Sequence, residues 1–185
     1  MSGGFNCPME EINRKEMYHG HAFDVHQVQL LMPNGQIKNY DLVKHRGAVV
    51  IVPLDSTGNL LSARQYRLGA EEELLELPAG VLERGEMPED CARREIREET
   101  GMAAKHWLKL GEYYIAPGYC TEYQHIYLAS DLSYDPLEAD DDEFIEIVKI
   151  PVGEVYKMVK EGKIHDGKTL AALLLAKPEL MRQIG

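Results

Sequence analysis

Glu95, Glu98 and Glu99 stand at positions i, i+3 and i+4 of one run, Arg94-Glu95-Ile96-Arg97-Glu98-Glu99. On a helix that spacing sets all three carboxylates on one face. Carboxylates packed this way repel one another, and Arg94 and Arg97 offset part of the repulsion. The chemistry such a face serves is cation binding, and a dense set of hard oxygen donors suits Mg²⁺ or Mn²⁺, not zinc. The competing reading is a solvated helix surface with weak ion pairs. The surroundings favour the first. A short strand ends in Pro78-Ala79-Gly80, a loop runs to Met87, and the helix opens with Pro88 and stops at Gly101. Proline suits a first helical position, Glu89 and Asp90 complement the helix dipole, and glycine suits the C-terminal stop. This order predicts carboxylates beside a loop able to present backbone carbonyls to a metal.

The elements that must position this helix are legible in outline. The segments 23–31 and 37–43 suit strands, and Asn34-Gly35 between them is a strong hairpin turn signal. Two strands alone are marginal in water, so this hairpin needs something to pack on. Ahead of it, residues 1–16 are polar and predicted to be loosely ordered. Ala48–Leu54 is an apolar, β-branched run of buried-strand type. Strands are also predicted over 60–66, 74–77, 107–116, 123–129 and 144–150, with an acidic loop over 131–143. Val152, Val155, Tyr156 and Val159 have helical spacing, and a last helix is predicted from an Asp166 cap to Ala176, ahead of Pro178. Strands and helices that do not alternate regularly predict an α+β fold, a mixed sheet flanked by helices.

Composition bounds the function. The chain has 185 residues, 44% of them hydrophobic, enough for a folded core. Its net charge of −11, with no basic run, argues against nucleic acid and against an anionic membrane surface. An anionic substrate therefore needs a cation between itself and the protein. Cys7, Cys91 and Cys120 make an odd set without Cys-x-x-Cys spacing, which fits a reducing cytoplasm and opposes a disulfide framework or structural zinc. Residues 1–16 lack the apolar stretch of a signal peptide, and no apolar run approaches the roughly 20 residues that span a bilayer.

The stretch from Gly80 to Met102 resembles the signature box of the Nudix hydrolases. Gly80, Glu86, Arg94, Glu95, Ile96, Glu98, Glu99, Gly101 and Met102 match its fixed positions at the family's spacing. The resemblance implies a Nudix fold, a mixed β-sheet sandwiched between helices (α/β/α). It also implies hydrolysis of a diphosphate linked to another moiety, with Mg²⁺ as cofactor and Mn²⁺ possible. By that resemblance Glu95 and Glu99 are metal ligands and the Ala79 carbonyl is an additional one. Glu98 is a further ligand and belongs with the catalytic set. Glu86 and Arg94 join loop to helix. One departure is Met87, where such boxes often carry a hydroxyl-bearing helix cap.

Flanking residues resemble the branch acting on ADP-ribose and nucleotide sugars. Gln65-Tyr66-Arg67, ahead of Glu76-Leu77-Pro78-Ala79-Gly80, implies that Arg67 contacts substrate phosphate. A guanidinium suits a diphosphate because it can bond two oxygens at once. A surface ion pair is the alternative for Arg67, and still more for Arg64. Pro117, 16 residues beyond Gly101, and Glu122 mark a substrate-side segment. In the loop Asp140-Asp141-Asp142-Glu143, Glu143 corresponds to the carboxylate that activates water, with Asp141 as its alternative. The resemblance further implies a homodimer, built through an N-terminal element of residues 1–45 ahead of a Nudix domain of residues 46–185. An aromatic from the N-terminal part, Tyr18, Phe23 or Tyr40, is implied to stack on the base. The expected reaction is cleavage of ADP-ribose to AMP and ribose 5-phosphate. Another nucleoside diphosphate sugar, GDP-mannose or ADP-glucose, is the alternative, and a binding module without catalysis is the remote one.

Overall fold

The structure, a computed structural model, describes residues 9–138 and 144–184. The chain forms two compact units, one of residues 1–46 and 114–123, the other of residues 47–113 and 124–185.

The first unit holds an antiparallel sheet of β1 (Glu10–His19), β2 (Asp24–Leu31) and β3 (Ile37–Lys44), with β2 in the centre. The Asn34-Gly35 turn forms as the sequence predicts. Gly35 takes φ +77° and donates its N–H to the Met32 carbonyl at 2.8 Å, while Asn34 Oδ1 accepts from the Gln36 N–H at 3.1 Å. The expectation of loose order fails over residues 10–16, because they belong to β1, and the hairpin is two strands of a three-stranded sheet. Every residue of β1 is exposed, so no side-chain alternation marks it. Register shifts between Glu11 and Asn13 and between Glu16 and Tyr18 break the period further. Backbone pairing to β2 makes this strand, and polar side chains do not advertise such pairing. Residues 114–123 run beside β3. The Val43 N–H donates to Tyr119 O at 2.7 Å, the Thr121 N–H to Val43 O at 3.0 Å, and the His45 N–H to Thr121 Oγ1 at 2.8 Å.

The second unit is built on β4 (Ala48–Leu54), β5 (Asn59–Arg67), β6 (Glu72–Glu76), β7 (Ala79–Val81), β8 (Met102–Tyr114), β9 (Tyr123–Tyr134) and β10 (Glu146–Pro151). The path through the sheet is β10-β5-β4-β9-β8, with β6 paired to β5 and β7 to β4. β4 runs parallel to β9 and antiparallel to β7, so the sheet is mixed. Three helices accompany it: α1 (Pro88–Thr100), α2 (Val152–Lys160) and α3 (Gly167–Ile184). Every residue of β4 is buried, and its side chains alternate between two cores. Val50, Val52 and Leu54 meet Val152 and Val155 of α2 and Leu173, Ala176 and Leu180 of α3. Val49 and Ile51 meet Cys91, Ala92 and Ile96 of α1. The two-residue period of one strand thus makes the α/β/α sandwich. Replacing the fully buried Ile96 by alanine would cost about 2–5 kcal/mol.

Several predicted boundaries shift. β8 begins directly after Gly101, and β9 continues to Tyr134 into what the sequence predicts as loop. α3 passes through Pro178 instead of stopping before it. Proline there removes the N–H that would bond the Leu174 carbonyl. Leu174 is exposed, so water can satisfy that carbonyl, while Leu180 beyond it is fully buried and rewards continuation. No helix among the described residues is long and apolar enough to cross a membrane.

Candidate active site

The site is organised by how closely α1 approaches β7. Gly80 pairs with Val49 in the sheet, and a Cβ placed on it would lie 1.8 Å from Glu95 Cδ. Only a residue without a side chain lets the Glu95 carboxylate settle there. Glu95 itself is 7% exposed. From β7 the chain turns through Leu82, which is buried and donates its N–H to Gly47 O at 3.1 Å. The next turn is closed by Glu86, whose Oε2 accepts from the Glu83 N–H at 2.9 Å. α1 then starts at Pro88. Met87 occupies the cap position in extended conformation without a side-chain cap bond, as its side chain dictates. Gly101 ends the helix at φ 71°, donating its N–H to Arg97 O.

Arg94 ties loop, strand and helix together. Its Nε and Nη2 each lie 3.0 Å from a Glu86 oxygen. Its Nη1 reaches Glu95 Oε1 at 2.7 Å and Glu98 Oε2 at 2.8 Å. The hydrogen bond to Glu86, with the neighbouring Glu95, strengthens the hold of the guanidinium on its proton. The same bond draws the Glu86 carboxyl below its ordinary pKa against the opposing effect of burial. One guanidinium therefore faces Glu86, Glu95 and Glu98, with Glu99 following on the same helix and its Oε2 shielded from solvent. Negative charge exceeds positive charge here, and every side-chain donor in the set is a hard oxygen. That set, with Gly80 making room for one of its members, fits a divalent cation.

A second polar network supports β6. Glu76 is 2% exposed and accepts two hydrogen bonds from Arg67, Nε at 2.8 Å and Nη2 at 2.7 Å. Lys168 of α3 also bonds Glu76 and stands 3.0 Å from Asp166. Asp166 Oδ2 accepts from the Thr169 N–H at 2.9 Å, and Thr169 Oγ1 accepts from the Leu77 N–H at 2.8 Å. The cap of α3 is thus fastened to the strand leading into the box. The Arg67 guanidinium holds its proton more tightly, chiefly through the Glu76 bond, with further contributions from Glu99 and Asp166.

The other predicted site residues lie on several elements. Arg64, 47% exposed, lies 3.7 Å from Glu146 of β10, a surface pair. Ala79 sits in β7 opposite Val50. Pro117 and Glu122 belong to the first unit, where the Ile115 N–H donates to Glu122 O at 3.2 Å. Asp141 and Glu143 lie outside the described residues. The residues the sequence did not reveal as a set are Glu76, Lys168 and Asp166. Glu76 and Lys168 are 92 positions apart, and no local pattern joins them.

Comparison with known proteins identifies the class. Residues 44–173 match the family model of the NUDIX domain. The chain is 35% identical over 164 residues to an ADP-ribose pyrophosphatase of Bacillus subtilis (strain 168), covering 88% of this chain and 89% of that one. It is 34% identical over 180 residues to a GDP-mannose pyrophosphatase of Yersinia enterocolitica serotype O:8, covering 88% and 92%. The crystal structure of an ADP compounds hydrolase matches with TM-score 0.83 and 27% identity over 95% of both chains. The chain belongs to the NUDIX family and is a Nudix hydrolase, a class that generally depends on divalent metal ions.

Proposed function

We propose that this protein hydrolyses ADP-ribose to AMP and ribose 5-phosphate, using Mg²⁺, with Mn²⁺ able to replace it. The observation that carries this reading is the pairing of Glu95 and Glu98 with Arg94 and the seating of Glu95 against Gly80, with Glu99 next on the same helix. It occurs in a chain 35% identical to a protein named ADP-ribose pyrophosphatase. Glu95, Glu98, Glu99 and the Ala79 carbonyl would hold divalent ions, which would supply charge neutralisation of the diphosphate and activation of water.

Glu143, or Asp141 in its place, takes the proton of the attacking water. Water oxygen bonds to one phosphorus as the bridging P–O bond breaks. Arg67 has committed Nε and Nη2 to Glu76, which leaves Nη1 to meet a phosphate oxygen. By the family resemblance Pro117 and Glu122 are assigned to substrate binding, and Arg64 to a rim contact. The second reading, a pyrophosphatase for another nucleoside diphosphate sugar, is favoured by the 34% identity to a protein named GDP-mannose pyrophosphatase.

The working form is a cytoplasmic homodimer joined through the N-terminal element, residues 1–45. Ile12, Met17, Tyr18, Ile37 and Tyr40 on its strands are all exposed in the single chain, and a second copy would cover them. Sedimentation analysis tests that directly.

The deciding experiment incubates purified protein and Mg²⁺ with ADP-ribose, GDP-mannose, ADP-glucose, NADH and a nucleoside triphosphate, and resolves the products. Preferred release of AMP and ribose 5-phosphate from ADP-ribose supports the reading. Preference for another nucleotide sugar transfers it to the second. In either case a folded Glu99→Gln variant is expected to lose about 10³-fold in turnover, several kcal/mol of transition-state stabilisation. Wild-type turnover in that variant would remove Glu99 from the ligand set.

A further inference from the structure

We propose that Glu16, Asp24 and His26, in the sheet of the first unit, form a binding site for a divalent transition-metal cation of the zinc type. The side chains bring one imidazole nitrogen and two carboxylate oxygens within 4.8 Å of one another. Glu16 of β1 and His26 of β2 are direct cross-strand partners, the pairing that sets two side chains face to face. Asp24 lies two residues before His26 on β2, hence on the same face of the sheet. The register shift between Glu16 and Tyr18 then sets His19 opposite Asp24. His19 Nδ1 lies 2.6 Å from Asp24 Oδ1.

His26 supplies the independent observation. It sits in the central strand at 7% exposure, and both ring nitrogens are shielded from solvent and make no hydrogen bond to any described residue. A buried imidazole left this way is costly, because it has given up water and received nothing in return. A cation held between it and the two carboxylates satisfies one nitrogen and neutralises both acids at once. The imidazole donor selects a borderline ion such as Zn²⁺ over Mg²⁺, which prefers oxygen. Zinc bonds of about 2.0–2.1 Å set tetrahedral ligand atoms about 3.4 Å apart. Rotation of the exposed Glu16 side chain closes the remaining gap. His19 fits a supporting place, fixing the Asp24 carboxylate as groups behind a ligand commonly do. Lys44, opposite Asp24 on β3, is the cation nearest in register, yet the Asp24 carboxylate contacts His19. A bound ion would clamp the wholly exposed strand β1 onto β2.

The test uses the full chain, stripped with a chelator and dialysed against micromolar Zn²⁺ with millimolar Mg²⁺ present to occupy the oxygen ligands of α1. Bound zinc is then measured by elemental analysis. The expected result is one zinc equivalent more in the wild type and in Glu99→Gln than in Glu16→Gln or His26→Gln. X-ray absorption at the zinc edge should show imidazole scattering that His26→Gln loses. Glu16 is exposed, so its variant should keep the wild-type circular dichroism spectrum even if His26→Gln does not fold. Zinc uptake unchanged in Glu16→Gln, or lost in Glu99→Gln instead, overturns the proposal. Because the readout is bound metal, it stands or falls independently of which diphosphate is cleaved.

Discussion

The Glu95 carboxylate occupies the volume beside Gly80 that any other residue's side chain would need. A Cβ at position 80 would stand 1.8 Å from Glu95 Cδ and 1.9 Å from its Oε1. Gly80→Ala must therefore push Glu95 aside or force α1 off β7. Overpacking of this kind costs about 1–3 kcal/mol. A displacement near 1 Å at a reacting site can cost about 10²-fold in rate. The expected outcome is a lower urea midpoint together with a fall of about 10²-fold in turnover. A variant that keeps both would show that Glu95 has no fixed place.

Arg94 is bonded to loop, strand and helix of the site, through Glu86, the Val81 carbonyl, Glu95 and Glu98. Arg94→Ala removes the compensating charge from three carboxylates of which none exceeds 22% side-chain exposure. Breaking one partner out of such a pair costs about 3–5 kcal/mol. Saturating Mg²⁺ should return part of that loss, because it supplies positive charge to the same oxygens. Denaturation curves with and without Mg²⁺ check this. An equal loss in both conditions would place the metal elsewhere.

The box and its helix were legible because their information is local. The i, i+3, i+4 carboxylates, Pro88 and the Gly101 stop all appear where their spacing predicts. The buried strand β4 announced itself by an unbroken apolar run. What stayed hidden depends on contacts that spacing does not encode. β1 is a strand through backbone pairing alone, with side chains exposed on both faces. The Glu76 network joins β6 to α3 across 92 positions. The grouping of Glu16, Asp24 and His26 rests on a sheet register and a bulge. α3 runs past the stop that proline predicts because burial of Leu180 outweighs one lost hydrogen bond.

Glu76 makes acid stability depend on the Arg67 and Lys168 contacts. Burial alone would raise its pKa, but the Arg67 hydrogen bonds and the Lys168 charge hold it below the ordinary 4.5. A carboxyl lowered in the folded state binds its proton less tightly than in the unfolded chain. Its contribution is therefore full above about pH 4.5 and is lost as pH falls through the folded value. Glu76→Gln should cost about 2–3 kcal/mol at pH 7, toward the low end for a buried pair because the Arg67 side chain is 40% exposed. The difference from wild type should shrink as pH falls below about 4.5. Glu86 titrates in both proteins and cancels in that comparison. Urea midpoints of the two proteins across this range test it, and a pH-independent difference would refute it.

Met87 leaves the first turn of α1 without a side-chain acceptor. It sits at φ −79°, ψ 142°, an extended conformation suited to a capping residue, and its side chain makes no cap bond. It is also 65% exposed, so little packing is lost on replacing it. Met87→Ser supplies a hydroxyl oxygen to a free N–H of the first turn without adding charge next to Glu89 and Asp90. Capping of this kind contributes about 1 kcal/mol. The variant is expected to melt higher than wild type, with turnover unchanged because the carboxylates lie further along the helix. A higher melting temperature with reduced turnover would mean that the loop before α1 moves during the reaction and that the weak cap serves that motion.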